Sequence, residues 1–227
     1  MAALYDCSVP SELLTGMRLA RSAIGRGALV VIPTDTVYGI AADAFNPVAI
    51  QALLDAKGRT RSSPPPVLVP GVATLDALAE TVSQPVRDLV DAFWPGGLTI
   101  IVPARSSLAW DLGDTRGTVA LRQPSDPIAL ELLTEVGPLA VSSANLTGQP
   151  AATTASLALE SLGESVDVYL DGGETETVTS TIVDASSFAG DGSIHIVRQG
   201  AVSEVELRAV LGDALLGSDR PADRLDG

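Results

Sequence analysis

The sequence predicts an α/β fold, an open mixed sheet with helices on both faces, and three observations carry that prediction. Short aliphatic runs alternate along most of the chain with stretches of helical periodicity. The runs lack polar alternation, as in Ala28-Leu29-Val30-Val31-Ile32, which suits strands covered on both sides. Late in the chain, runs at 181–183 and 194–197 read as hairpin-like strands, so the sheet is mixed rather than purely parallel.

The elements follow in order. Pro10-Ser11-Glu12, then Leu13, Leu14, Met17, Leu19, Ala20 and Ile24, spell a capped amphipathic helix closed by Gly25 and Gly27. A strand at 28–32 breaks at Pro33, which has no backbone N–H to extend a ladder. Asn46 and Pro47 supply an N-cap and first turn for a helix carrying Ile50, Leu53 and Leu54 and ending near Lys57-Gly58. Residues 59–66, with three prolines, form a semi-rigid loop, and 67–69 a short strand. A helix carrying Val86, Leu89, Val90 and Phe93 leads into the turn Trp94-Pro95-Gly96-Gly97. Strands follow at 98–102 and 118–121, a helix opens at Pro127 behind an Asp126 cap, and a strand at 139–141 runs into Ser142-Ser143-Ala144-Asn145. A helix at 154–162, strands at 166–170, 181–183 and 194–197, and a last helix at 203–211 complete the series.

At 227 residues, with 46% hydrophobic and 4% aromatic side chains, the chain can bury an aliphatic core of useful size. One domain over 1–212 is expected, with 213–227 a polar, flexible tail. A single cysteine, Cys7, excludes an internal disulfide, and a single histidine, His195, excludes zinc sites that need several. His195 sits in an alternating strand-like run and reads as structural. No apolar stretch approaches a membrane span, and the N-terminus lacks the basic start of a signal peptide, so a cytoplasmic protein is expected.

The net charge of −14 argues against broad, tight binding of nucleic acid, where lysines and arginines must neutralise phosphates. Cations are placed sparingly: Lys57 is the only lysine, it clusters with Arg59 and Arg61, and 123–197 hold neither lysine nor arginine. An acidic body with a few focused cations suits a small anion better than a polynucleotide.

Chemistry is expected first in Pro33-Thr34-Asp35-Thr36-Val37-Tyr38-Gly39, where hydroxyls, a carboxylate and a glycine crowd the carboxyl end of a buried strand. Three more segments join it: Lys57-Gly58-Arg59, Thr118-Val119-Ala120-Leu121-Arg122 and Ser142-Ser143-Ala144-Asn145. As an ordered set, with Trp94-Pro95-Gly96-Gly97-Leu98-Thr99, Asp171-Gly172-Gly173, Ser180-Thr181-Ile182-Val183-Asp184 and Ile196-Val197-Arg198-Gln199-Gly200, they resemble the YrdC/Sua5 family over roughly residues 10 to 210.

The resemblance implies a YrdC-like twisted sheet with a central ligand cavity, and nucleotidyl transfer that joins L-threonine, bicarbonate and ATP into threonylcarbamoyl-AMP with release of pyrophosphate. The product would serve a downstream threonylcarbamoyl transferase that modifies tRNA position 37, with at most weak affinity for tRNA itself. Mg²⁺ is expected without a dedicated protein cage. Carried over by position, Thr36, Tyr38, Arg122 and Ser180 resemble threonine-contacting residues, with Arg122 for the carboxylate. Lys57, Arg59, Ser63, Thr118, Ser143, Asn145, Thr153 and Arg198 resemble nucleotide-contacting ones. Lys57 as a mobile point charge and Arg59 as a planar fork, both expected on an exposed rim, would neutralise the triphosphate. Thr60 and Leu68 depart from relatives that carry proline and histidine near those places, and the chain resembles the short form. Two other readings are a double-stranded RNA-binding module and an adenylate enzyme that uses carbamoyl phosphate.

Overall fold

The computed structural model describes residues 2–216. In chain order it contains β1 (Ala3–Asp6), α1 (Pro10–Gly25), β2 (Val30–Ile32), β3 (Gly39–Asp43), α2 (Pro47–Lys57), β4 (Val67–Leu68), α3 (Val72–Leu78) and α4 (Gln84–Phe93). Then follow β5 (Leu98–Pro103), β6 (Thr118–Arg122), α5 (Pro127–Val136), β7 (Leu139–Ser143), α6 (Ala155–Leu162) and β8 (Val168–Asp171). The last elements are β9 (Thr181–Asp184), α7 (Phe188–Asp191), β10 (Ile194–Arg198), α8 (Glu204–Leu211) and β11 (Leu215–Leu216). The strands form one mixed sheet in the order β1-β8-β2-β3-β7-β4-β6-β5-β9-β10-β11.

Helix starts are set locally. Asn46 Oδ1 accepts the N–H groups of Val48 and Ala49, Asp126 Oδ1 that of Ala129, and Ser203 with Glu206 closes a reciprocal capping box. Helix α2 stops where Gly58 turns left-handed at φ 64°, a conformation that costs glycine little.

The structure adds β1, β3, α3 and α7, and it changes the meaning of the heptad. Ile32 pairs with Gly39 and Val30 with Ala41, so 33–38 joins two antiparallel neighbours rather than leaving the sheet for a helix. Mixing of directions therefore begins at β2/β3 and is not confined to the late strands. At the other end, 213–216 hold a 3₁₀ turn and β11, which pairs with β10; ordered structure runs past the boundary at 212, and 217–227 lie outside the described residues.

The two sheet faces are covered unequally, and this places the site. One face carries the larger apolar cluster, with Ile50 and Leu53 of α2, Leu75 of α3, Leu89 of α4, Ala158 of α6 and Leu207 of α8 against the sheet. On the other face, α1 and α5 cover β1, β8, β2, β3 and β7 and reach Leu68 at the end of β4, through Met17, Ala20, Leu132 and Leu133. Beyond them β4, β6, β5 and β9 face a cavity. No helix among the described residues is long and apolar enough to cross a membrane.

Candidate active site

The heptad is organised by a directed chain of hydrogen bonds. Arginine has only donors, so Arg122 Nη1 donates to Thr36 Oγ1 at 2.9 Å. Thr36 Oγ1 then lies 3.0 Å from Thr34 Oγ1, which donates to Val37 O at 2.6 Å. Both threonines are buried. Arg122, at the end of β6, is 5% exposed and also donates from Nε to Gly96 O at 2.9 Å, in the turn whose Trp94–Pro95 peptide is cis. Its Nη2 stands 2.8 Å from Asp35 Oδ1 but makes no aligned hydrogen bond. Burial lowers the pKa of this guanidinium while Asp35 opposes the shift. A buried, charged fork thus lines the cavity, held by Thr36, Gly96 and Asp35.

Lys57 departs from expectation. It is 1% exposed rather than on a rim, and it does not line the cavity. Its Nζ donates to Ser143 O and Asn145 O, each at 2.5 Å, while its own carbonyl accepts from Thr147 Oγ1 at 2.8 Å. The residue grips the turn after β7 from both ends, as a clamp and not a mobile charge. Burial, with Arg59's charge second, pulls its pKa down to about 7. Arg59 does reach the cavity; its Nε donates to Thr147 Oγ1 at 3.2 Å and its Nη1 to Ser142 Oγ at 3.4 Å.

Across the sheet, Ser180 Oγ and Thr99 Oγ1 are 2.9 Å apart, and Arg198 donates from Nη2 to Ser180 O at 2.8 Å. The following Gly200 admits no side chain, because a Cβ there would lie 2.2 Å from Thr179 O.

These groups meet in one cavity of about 210 Å³. It gathers Thr36, Tyr38, Arg122 and Ser180 from the residues matched to threonine contacts, and Arg59, Thr118, Ser143 and Arg198 from those matched to the nucleotide. Tyr38 only walls it: the hydroxyl donates to Gly173 O at 2.6 Å and accepts from Gly172 N at 3.0 Å, so it is spent on the β8 turn. Four expected residues do not line it, Lys57, Ser63, Asn145 and Thr153. The Asn145 amide donates to Leu146 O and Gln149 O, both at 2.8 Å, holding its own turn. Thr153 O accepts from Thr175 N, and Ser63 N donates to Thr60 O in the proline loop.

Sequence reasoning quoted Thr99 and Ala120 within motifs but gave them no site role, and it missed Ile101; all three line the cavity. Ile101 and Ala120 are register partners on β5 and β6, and Thr99 stands two residues from Ile101 on the same side of its strand. Leu112 and Thr115 line another wall, where Arg61 Nη2 ties the proline loop to Asp111 at 2.6 Å. Among the described residues, three arginines and no aspartate or glutamate line the cavity, a cationic recess in an acidic chain. With no acidic oxygen in that lining, and no group of three histidine, cysteine or acidic residues placed for a metal among the described residues, the cavity does not form a resident metal site.

The family model Sua5_yciO_yrdC, described as telomere recombination, matches residues 22–200. A Mycobacterium leprae protein, provisionally named a threonylcarbamoyl-AMP synthase, is 48% identical over 93% of this chain and 95% of its own. A Bacillus subtilis protein named threonylcarbamoyl-AMP synthase is 34% identical over 85% of this chain and 56% of its own length. Among solved structures, Pyrococcus abyssi Sua5 complexed with L-threonine superposes with a TM-score of 0.84 at 29% identity, covering 95% of this chain and 62% of that one.

Proposed function

The chain belongs to the Sua5/YciO/YrdC family, and from that premise we propose that its cavity forms threonylcarbamoyl-AMP from L-threonine, bicarbonate and ATP, as a nucleotidyl transfer that releases pyrophosphate. The observation that carries the reading is the convergence of Arg59, Arg122 and Arg198 on one recess without a lining carboxylate. Every substrate of this reaction is anionic or bears a carboxylate, and arginine forks match carboxylate and phosphate oxygens in pairs.

In this reading Arg122 holds the amino acid's carboxylate. The threonine amine and bicarbonate give a carbamate with loss of water. A carbamate oxygen then bonds to the α-phosphorus as the bond to the β-phosphate breaks, and pyrophosphate leaves. Such a step needs positioning and charge neutralisation more than a protein nucleophile. Arg59 and Arg198, on opposite walls, supply the positive charge. Mg²⁺ belongs to this scheme only as the counter-ion that accompanies ATP. The product is a labile mixed anhydride, handed to a tRNA-modifying transferase in the cytoplasm.

Neither alternative is favoured. The exposed Arg21, Arg26, Arg61, Arg87 and Arg208 are each paired with a carboxylate on a chain of net charge −14, which disfavours a face that tracks RNA, and the named relatives are threonylcarbamoyl-AMP synthases rather than enzymes of carbamoyl phosphate. Pyrophosphate release from ATP tests the reading: it should require threonine and bicarbonate together, and turnover that persists without either would refute it.

A further inference from the structure

Resting on that reading, we propose that residues 107–116, between β5 and β6, form a flap over the cavity that Arg61 latches shut and that is displaced when the nucleotide enters. The need for movement comes from size. The cavity holds about 210 Å³, below the roughly 300–1,000 Å³ of pockets that enclose one small ligand, and the reading requires it to admit a nucleoside triphosphate together with an amino acid and bicarbonate. Part of its wall must therefore give way. Many lining residues stand on paired strands, whereas Pro64, Pro65, Leu112 and Thr115 stand on two loops, the proline loop and the β5–β6 connection.

That connection is fixed at its root and lightly held at its tip. At the root, Arg105 donates from N to Leu78 O at 2.8 Å and from Nη2 to Asp76 O at 2.7 Å, Ser106 N donates to Glu80 Oε2 at 2.8 Å, and Ala104 N donates to Gly117 O at 2.9 Å. The tip hangs on Arg61. The Arg61 carbonyl accepts from Asp114 N at 2.8 Å, its Nη2 donates to Asp111 Oδ1 at 2.6 Å, and Gly113 packs so tightly that a Cβ there would stand 2.6 Å from Arg61 O. The side chains of Arg61 and Asp111 are 48% and 46% exposed, so their ion pair is worth little and yields at small cost. Trp110 stacks on the exposed Phe45 with ring centroids 5.5 Å apart. Leu112, by contrast, is buried in the core, which makes the closed form the ground state and the open form a minority. Arg61, the third cation of the cluster that begins at Lys57, thus serves a carboxylate on the flap and does not line the cavity.

A site that is open only part of the time binds with an affinity reduced by the open fraction, so a latch and a phosphate-binding cation give opposite signs on removal. Losing the cation weakens nucleotide binding; losing the latch strengthens it. The test is calorimetric titration of a non-hydrolysable ATP analogue with Mg²⁺ into the unmodified chain, Arg61→Ala and the exchanged pair Arg61→Asp with Asp111→Arg, together with hydrogen exchange over 107–116. Arg61→Ala should lower Kd roughly two- to five-fold and speed exchange in the flap by a similar factor, with exchange at 76–80 unchanged. The exchanged pair should return both values toward those of the unmodified chain. A Kd that rises or stays constant in Arg61→Ala, or flap exchange that does not change, would overturn the latch while leaving the proposed reaction standing. Failure of the unmodified chain to bind the nucleotide analogue at all would instead remove the reaction, and the inference with it.

Discussion

Replacing Arg122 by glutamine is expected to lower kcat/KM for L-threonine by roughly a hundred- to a thousand-fold, because truncating one member of a buried charged contact costs about 2–5 kcal/mol. The loss should appear mainly in the KM for threonine, with the KM for ATP changed far less. Glutamine fills part of the space and can still reach Thr36, but it carries neither the charge nor the fork that Arg122 aims between Asp35, Thr36 and Gly96. Arg122→Lys restores the charge without the planar geometry and should recover only part of the loss. Steady-state kinetics with each substrate varied in turn checks this. Equal effects on both KM values would place Arg122 in the scaffold rather than at the carboxylate.

Lys57→Ala should remove activity and also destabilise the fold, by roughly 2–5 kcal/mol. The substitution deprives Asn145 O of its donor and leaves a cavity where a fully buried side chain stood. This differs from what an exposed, phosphate-binding lysine would give, which is loss of activity with an unchanged melting temperature. The pH dependence separates the two further. In the folded chain Lys57 titrates near 7, below its ordinary 10.5, so between those values the unfolded state holds the extra proton. Stability contributed at this site therefore rises as pH climbs from about 7 toward 10.5, and the burial penalty is fully present below 7. The gap in melting temperature between the unmodified chain and Lys57→Ala should widen over that interval. A constant gap would mean that Lys57 is not held in a desolvated setting.

What could be read in the sequence was mostly local. Asn46 and Asp126 announce their helices because a cap is a contact between residues two or three apart. The serine turn, Arg59 and Arg122 were legible as a set because their order along the chain resembles a family pattern. The short strand Gly39-Ile40-Ala41-Ala42-Asp43 was hidden, since small residues next to a polar heptad give little strand signal. The burial of Lys57 was equally hidden: a lysine beside two arginines reads as a solvated cluster until β7 is folded over it. Asn145 drew attention for a side-chain amide whose N–H groups the fold uses on its own turn. The place of Leu68 beside Arg122 is set only by register, which no single segment of sequence encodes.

The account rests on one cavity that joins an amino acid, bicarbonate and ATP. Mass spectrometry of the reaction mixture, with isotopically labelled bicarbonate, addresses that claim most directly. The expected result is an adenylate whose mass carries both threonine and the labelled carbon, absent when threonine is withheld and strongly reduced in Arg122→Gln. ATP consumed with no such adduct, or an adduct that lacks the label, would contradict it.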